Sequence, residues 1–210
     1  MNWDKTIRME ERLNDKIETV NGVDYYQGRH IIKRDTEIDG GVCLGEGERE
    51  AIVVDSQKYP KLRQLYEKAK QKASVDNKVQ RDRVLKAVYD IVLDAMPNKD
   101  YNKTVQLLDK YKIWNDGKIT LDIFINEDAG VCRHKALACG ALIELFKKDG
   151  YVRGKPSIDR NSSVIGGHAW CRYTSFNGDV QILDVMQEYF GSLEDSIKNA
   201  KWDYRRPEEK

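Results

Sequence analysis

Gly166-Gly167-His168-Ala169-Trp170-Cys171-Arg172-Tyr173-Thr174-Ser175-Phe176-Asn177-Gly178-Asp179-Val180-Gln181-Ile182-Leu183-Asp184-Val185 is the stretch that decides the fold. Two runs rich in β-branched and aromatic residues flank Phe176-Asn177-Gly178, a pattern that predicts an antiparallel hairpin. Its register matters because successive strand residues point to opposite faces. A two-residue Asn177-Gly178 loop pairs Asp184 with Cys171 and turns it away from His168. A three-residue loop with Gly178 left-handed pairs Asp184 with Trp170 and sets His168 diagonally beside it on the same face. Only the second register, or an equivalent bulge, lets the imidazole meet the carboxylate.

Upstream, Ala129-Gly130-Val131-Cys132-Arg133-His134-Lys135-Ala136-Leu137 runs from a glycine-containing turn into a helical segment. Cys132, Ala136, Cys139, Ile143 and Phe146 fall on one face, with His134, Ala138, Ala141 and Leu145 on roughly the opposite one. A helix apolar on two sides is expected to lie buried between a sheet and other helices, and Gly150 offers the left-handed residue that ends it. Cys132 opens the helix, where unpaired backbone N–H groups and the positive end of the macrodipole favour a thiolate. Cys139 lies about 10 Å further along the axis, too far for a disulfide, and is expected in the core. His134 stands about 200° round from Cys132 and is expected to be a buried, hydrogen-bonded histidine rather than a base. Cys132, His168 and Asp184 then follow in an order that a nucleophile, a base and an orienting acid can use.

The 210 residues carry 36 Lys+Arg against 35 Asp+Glu, a net charge of +1 that calls for neither a nucleic-acid nor a membrane partner. No apolar run approaches the roughly 20 residues of a membrane helix, and the polar start shows no secretory signal. Four irregularly spaced cysteines suit a reducing compartment, so a cytoplasmic location is expected, with an exported effector as the alternative. Residues 1–55 read as an N-terminal extension. Trp3, Ile7, Leu13, Ile17 and Val20 have near-helical spacing, and Asn21-Gly22 and a strand at Val23-Asp24-Tyr25-Tyr26 follow. Gly41-Val42-Cys43-Leu44-Gly45-Glu46-Gly47 lacks the Gly-Lys-Ser/Thr ending of a phosphate loop and reads as a plain loop. Residues 56–210 read as the catalytic domain. Its expected elements are a helix opened by Pro60, another stopped at Met96-Pro97, a shorter one around Leu107 and Leu108, and an extended segment over Lys118 to Ile125. Ser192 caps a last helix, and Lys201-Trp202-Asp203-Tyr204-Arg205-Arg206 reads as its frayed, charged end.

Gly130-Val131-Cys132 opening a helix, Gly167-His168-Ala169-Trp170 on a strand and Leu183-Asp184 on the next together resemble the transglutaminase-like superfamily of cysteine enzymes, over roughly residues 75 to 190. The resemblance implies an α+β, papain-like fold with the nucleophile helix packed against an antiparallel sheet. It also implies Cys132 as nucleophile, His168 as base and Asp184 as orienting acid. The Arg133-His134 pair resembles what some bacterial members carry. Paired Cys-x-x-Cys motifs, an Arg-Gly-Gly-x-Cys context and an Asp-x-Asp-x-Asp-Gly calcium loop are all missing. Peptide N-glycanase relatives, arylamine N-acetyltransferases and calcium-dependent members are therefore disfavoured, and no metal or cofactor is expected. The implied activity is thioester-mediated acyl transfer or hydrolysis on protein or peptide amides, with water or an amine as acceptor. Cys132 supplies one oxyanion donor from its own N–H, and Asn126 or Trp114 is a candidate for the other. Gly167 and Trp170 are candidate substrate contacts. An inactive domain of the same fold, acting as a protein-binding module, is the rival reading.

Overall fold

A computed structural model describes residues 2–3, 13–45, 50–97, 100–113, 117–163 and 166–210. Its strands are β1 (Asn2–Trp3), β2 (Ile17–Val20), β3 (Val23–Tyr26), β4 (Arg29–His30), β5 (Val42–Cys43), β6 (Ala51–Val53) and β7 (Ser74–Val75). They continue with β8 (Lys78–Val79), β9 (Lys118–Thr120), β10 (Lys155–Ser163), β11 (Gly166–Thr174), β12 (Val180–Asp184) and β13 (Tyr189–Ser192). The architecture is α+β. A five-stranded antiparallel sheet in the order β1-β10-β11-β12-β13 dominates, and β2-β3-β4, β5-β6-β9 and β7-β8 form smaller sheets. Within the second of these, β6 and β9 run parallel.

Helix α1 (Pro60–Lys72) starts on a proline, whose missing N–H would be unpaired there anyway, and buries Leu62, Leu65, Tyr66 and Ala69. Helix α2 (Val84–Ala95) buries Val84, Ala87, Val88, Tyr89 and Val92 and ends at Met96, before Pro97. Asp100 caps α3 (Tyr101–Lys110), accepting the Asn102 N–H at 2.8 Å. Thr120 caps α4 (Leu121–Asn126) and Ser192 caps α6 (Leu193–Asn199) in the same way. Between them, α5 (Cys132–Lys148) is buried at every residue from Arg133 to Phe146. It packs on β10, β11 and β12 on one side and on α1, α2 and α4 on the other. Ala169, Cys171, Tyr173 and Leu183 of the sheet and Leu62, Leu65, Val88 and Val92 of the helices close over it. Each such large aliphatic contributes roughly 1.5–3 kcal/mol by leaving water. No described helix is long and apolar enough to cross a membrane.

The central hairpin takes the register that the site requires. Thr174 pairs with Val180 and Cys171 with Leu183, so one step further Asp184 stands opposite Trp170. The loop is Phe176-Asn177-Gly178, closed by the Ser175 N–H on Asp179 O at 2.8 Å, with Gly178 at φ +91°. That is the three-residue turn with a left-handed glycine.

Two expectations change. The segment over Lys118 to Ile125 is not extended throughout, because Thr120 ends β9 and caps a helix whose Leu121, Phe124 and Ile125 turn inward. Within the N-terminal extension, the described residues 13–45 and 50–55 pack onto the rest of the chain. Ile17–Val20 is strand rather than helix, while positions 4–12, including Ile7 of the expected helical stripe, lie outside the described residues. Ile32, Ile38, Cys43, Ile52 and Val54 enter the core around α5. Glu144 of α5 accepts the N–H groups of Ile38 and Asp39 at 2.9 and 2.7 Å. Where these layers meet, Gly140 leaves room for its neighbours. A Cβ there would stand 2.5 Å from Ile38 Cδ1 and 2.9 Å from Ile158 Cδ1. Gly140→Val is accordingly expected to cost about 1–3 kcal/mol through overpacking, seen as a lower urea midpoint at constant slope.

Candidate active site

The local chain at Cys132 is set by a glycine and a histidine. Gly130 has φ +148°, and a Cβ on it would lie 2.9 Å from His134 Cβ, so both backbone and space call for glycine. Val131 is the N-cap, and His134 reaches back so that its Nδ1 accepts the Val131 N–H at 3.1 Å. An accepting Nδ1 carries no proton, so Nε2 is the protonated nitrogen and donates to Glu50 Oε1 at 3.0 Å. Arg133 donates to the same oxygen through Nε at 3.1 Å and through Nη2. Burial works against the Glu50 charge, but the His134 hydrogen bond and the Arg133 charge outweigh it and hold its carboxyl at about 2. His134 thus organises the start of α5.

Cys132, His168 and Asp184 are brought together. Cys132 is half-buried at the first position of α5. His168 Nε2 lies 2.5 Å from Asp184 Oδ2, and both side chains are buried. With Nε2 engaged, the other ring nitrogen, Nδ1, is the one left to hydrogen-bond the thiol. Burial alone would raise the Cys132 pKa, but the His168 hydrogen bond and charge, the Arg133 charge and the Ala169 N–H bring it below the ordinary thiol value. Burial alone would lower His168, but its hydrogen bonds to Asp184 and Cys132 raise it to about 9. Opposite shifts in one contacting pair favour a thiolate facing an imidazolium. Cys139 and Cys171 are buried free thiols whose pKa values burial pushes up.

A layer on the outer face of the sheet holds the acid and base in place. Tyr204 donates its hydroxyl to Asp184 Oδ2 at 2.8 Å, and the Gln187 N–H donates to Oδ1 at 3.0 Å. Trp202 meets the His168 ring edge to face at 4.9 Å, and its Nε1 donates to Asn161 Oδ1 at 2.7 Å. Asn161 stands opposite His168 in the β10–β11 register and donates to Asp203 O at 3.0 Å. Lys201 to Arg206 is therefore an ordered strap over the site, not a frayed end. Arg206 fastens it by binding Asp159 at 2.8 Å and Asp35 at 2.9 and 3.0 Å.

The thiol and imidazole open on a cleft of about 100 Å³ whose walls include Cys43, Gly45, Arg133, Arg160, Gly167 and Ala169. Gly167 is thus at the cleft. Trp170 is not. It is fully buried against Tyr204 at 5.1 Å and supports the histidine from behind. Asn126 is exposed at the end of α4 and is not among the residues that line the cleft. Trp114 lies outside the described residues. The residues that sequence reasoning missed are Glu50, Cys43, Arg160, Asn161, Trp202 and Tyr204. The aromatic pair two residues apart at Trp202 and Tyr204 was the available signal, since such residues seldom decorate a frayed end. Comparison of the chain with protein families, with curated proteins and with solved structures finds no match.

Two outcomes follow from this geometry. Alkylation of Cys132 is expected to proceed well below the usual thiol range, and His168→Ala should return its titration toward about 8.5, read by rate against pH with peptide mass identifying the residue. Glu50→Ala strands the buried Arg133 charge and should cost about 3–5 kcal/mol in chemical denaturation.

Proposed function

We propose that the protein is a cysteine-dependent enzyme of the transglutaminase-like, papain-like kind that transfers or hydrolyses acyl groups of protein or peptide amides. The observation that carries the proposal is the contact chain Cys132–His168–Asp184 at the mouth of a cleft, with the thiol pulled down and the imidazole pulled up. The Cys132 thiolate attacks the amide carbonyl, forming a C–S bond and moving the carbonyl electron pair onto oxygen. The N–H of Cys132, unpaired within the helix at its first turn, donates to that oxyanion. His168 gives its proton to the departing nitrogen as the C–N bond breaks, which leaves a thioester. Water or an amine then adds to the thioester, losing a proton to His168 and restoring the thiolate. Asp184, anchored by Tyr204, keeps the imidazole turned toward sulfur and stabilises its cation.

The test is to incubate the protein with a glutamine-containing peptide library, with and without a labelled primary amine, and to follow acyl-enzyme, deamidated and cleaved products by mass. Cys132→Ala should abolish every product, and Asp184→Asn should lower kcat by roughly 10²–10⁴-fold. The rate should rise as the thiol ionises on the acid side and fall as the His168 cation loses its proton near about 9. Products that persist in Cys132→Ala would overturn the proposal. Failure to form an acyl-enzyme with any amide or activated ester would also overturn it, in favour of a binding module.

A further inference from the structure

The charges around the cleft are one-sided. Arg133 and Arg160 line it beside Cys132 and His168, and no acidic side chain does so among the described residues. Arg133 is balanced from behind by Glu50. Arg160 has a different environment. Its Nη1 donates to Leu44 O at 3.1 Å and its Nη2 to Ile32 O at 3.3 Å, and among the described residues no carboxylate pairs with it. Two main-chain carbonyls fix the guanidinium in place without cancelling its charge, and its remaining N–H groups are left over.

Its position relative to the reacting atoms follows from the strand register. Arg160 stands directly opposite Ala169, next in sequence to His168. The Ala169 N–H is itself directed at the Cys132 sulfur. Residues opposite one another in antiparallel strands have their Cβ atoms about 5 Å apart and share a face, so the Arg160 side chain leaves β10 on the thiol side. Across the cleft wall, Arg133 keeps Nη1 buried with no hydrogen-bond partner. That atom is shut off from the cleft and Arg133 is already paired, so the charge an entering anion meets is that of Arg160. The forked donor geometry of arginine matches a planar carboxylate better than any neutral group.

We infer that the cleft selects an acyl donor carrying a carboxylate close to the reacting amide, and that Arg160 is the residue that holds it. The inference rests on the acyl-transfer reading and adds to it the chemical class of the substrate. Arg160 determines specificity rather than chemistry, since it faces the bound acid and not the carbonyl under attack.

The two parts can be tested separately by alkylating Cys132 with iodoacetate, which carries a carboxylate, and with iodoacetamide, its neutral amide. In both reactions the sulfur displaces iodide and a C–S bond replaces the C–I bond, so the rate ratio isolates the charge. For the parent protein the iodoacetate-to-iodoacetamide ratio should exceed that of a free cysteine peptide, in part because the His168 cation also attracts the acid. In Arg160→Gln the ratio should fall by about tenfold or more, the loss of one charge-assisted contact that water partly screens. Arg160→Lys keeps the charge and should retain most of the preference. The same ratio in parent and Arg160→Gln would overturn the carboxylate assignment, while alkylation well below the usual thiol range would leave the acyl-transfer reading standing. Loss of that low-pH alkylation in the parent would overturn both.

Discussion

A helix with no solvent face makes strict demands on its surroundings. From Arg133 to Phe146 every residue of α5 is buried, yet the helix carries Arg133, His134, Lys135 and Glu144 into that interior. A buried charge or hydrogen-bonding group without a partner costs several kcal/mol, a large part of the net stability of an ordinary domain. The partners of Arg133, His134 and Glu144 come from a single stretch of chain. Glu50 answers Arg133 and His134 at one end of the helix, and the amides of Ile38 and Asp39 answer Glu144 at the other. The same stretch supplies Cys43 and Gly45 to the cleft. Fold and site therefore share one stretch of chain that runs along the length of the helix.

The groups of the site come from opposite faces of the sheet. Cys132 packs with the inner core under Ala169 and Cys171, whereas Ile182, Trp170 and Tyr204 form a separate outer cluster that includes the neighbours of His168 and Asp184. The outer groups are held by Tyr204, Gln187 and Trp202, so the ring has little rotational freedom by the time it meets sulfur. Such restraint is what a short-range proton transfer needs, because a misplacement of about 1 Å can cost on the order of a hundredfold in rate. The arrangement also leaves one side of the imidazole exposed only to the cleft.

Cys132, His168 and Asp184 were legible in the sequence because their signals are local. A glycine before a helix, a histidine entering a strand and a turn with Gly178 fix where each side chain points. The hairpin could be narrowed to two registers, and the choice between them came down to one loop residue. Strand β10 was not legible. Its Ser157, Asp159 and Asn161 are buried polar residues, satisfied by Arg206, Trp202 and Asp203, so no apolar alternation marks it. Arg160 was hidden for the same reason. The integration of residues 31–54 was equally silent, since pairing between Glu50 and Arg133 spans 83 positions and leaves no periodic trace. Asn126 was proposed on residue type alone, and residue type says nothing about which way a helix end faces.

The strap across the outer face sets an order of events during synthesis. Cys132, His168 and Asp184 are translated before Trp202 and Tyr204, and the strap residues must dock before the acid is anchored and the base is covered. Domains fold as their last structural segments leave the ribosome. A nascent chain that has not yet released Tyr204 has Cys132 and His168 without Trp202 against the ring or Tyr204 on Asp184. The contact chain from Cys132 to Asp184 is therefore completed only after residues 201–206 have been made.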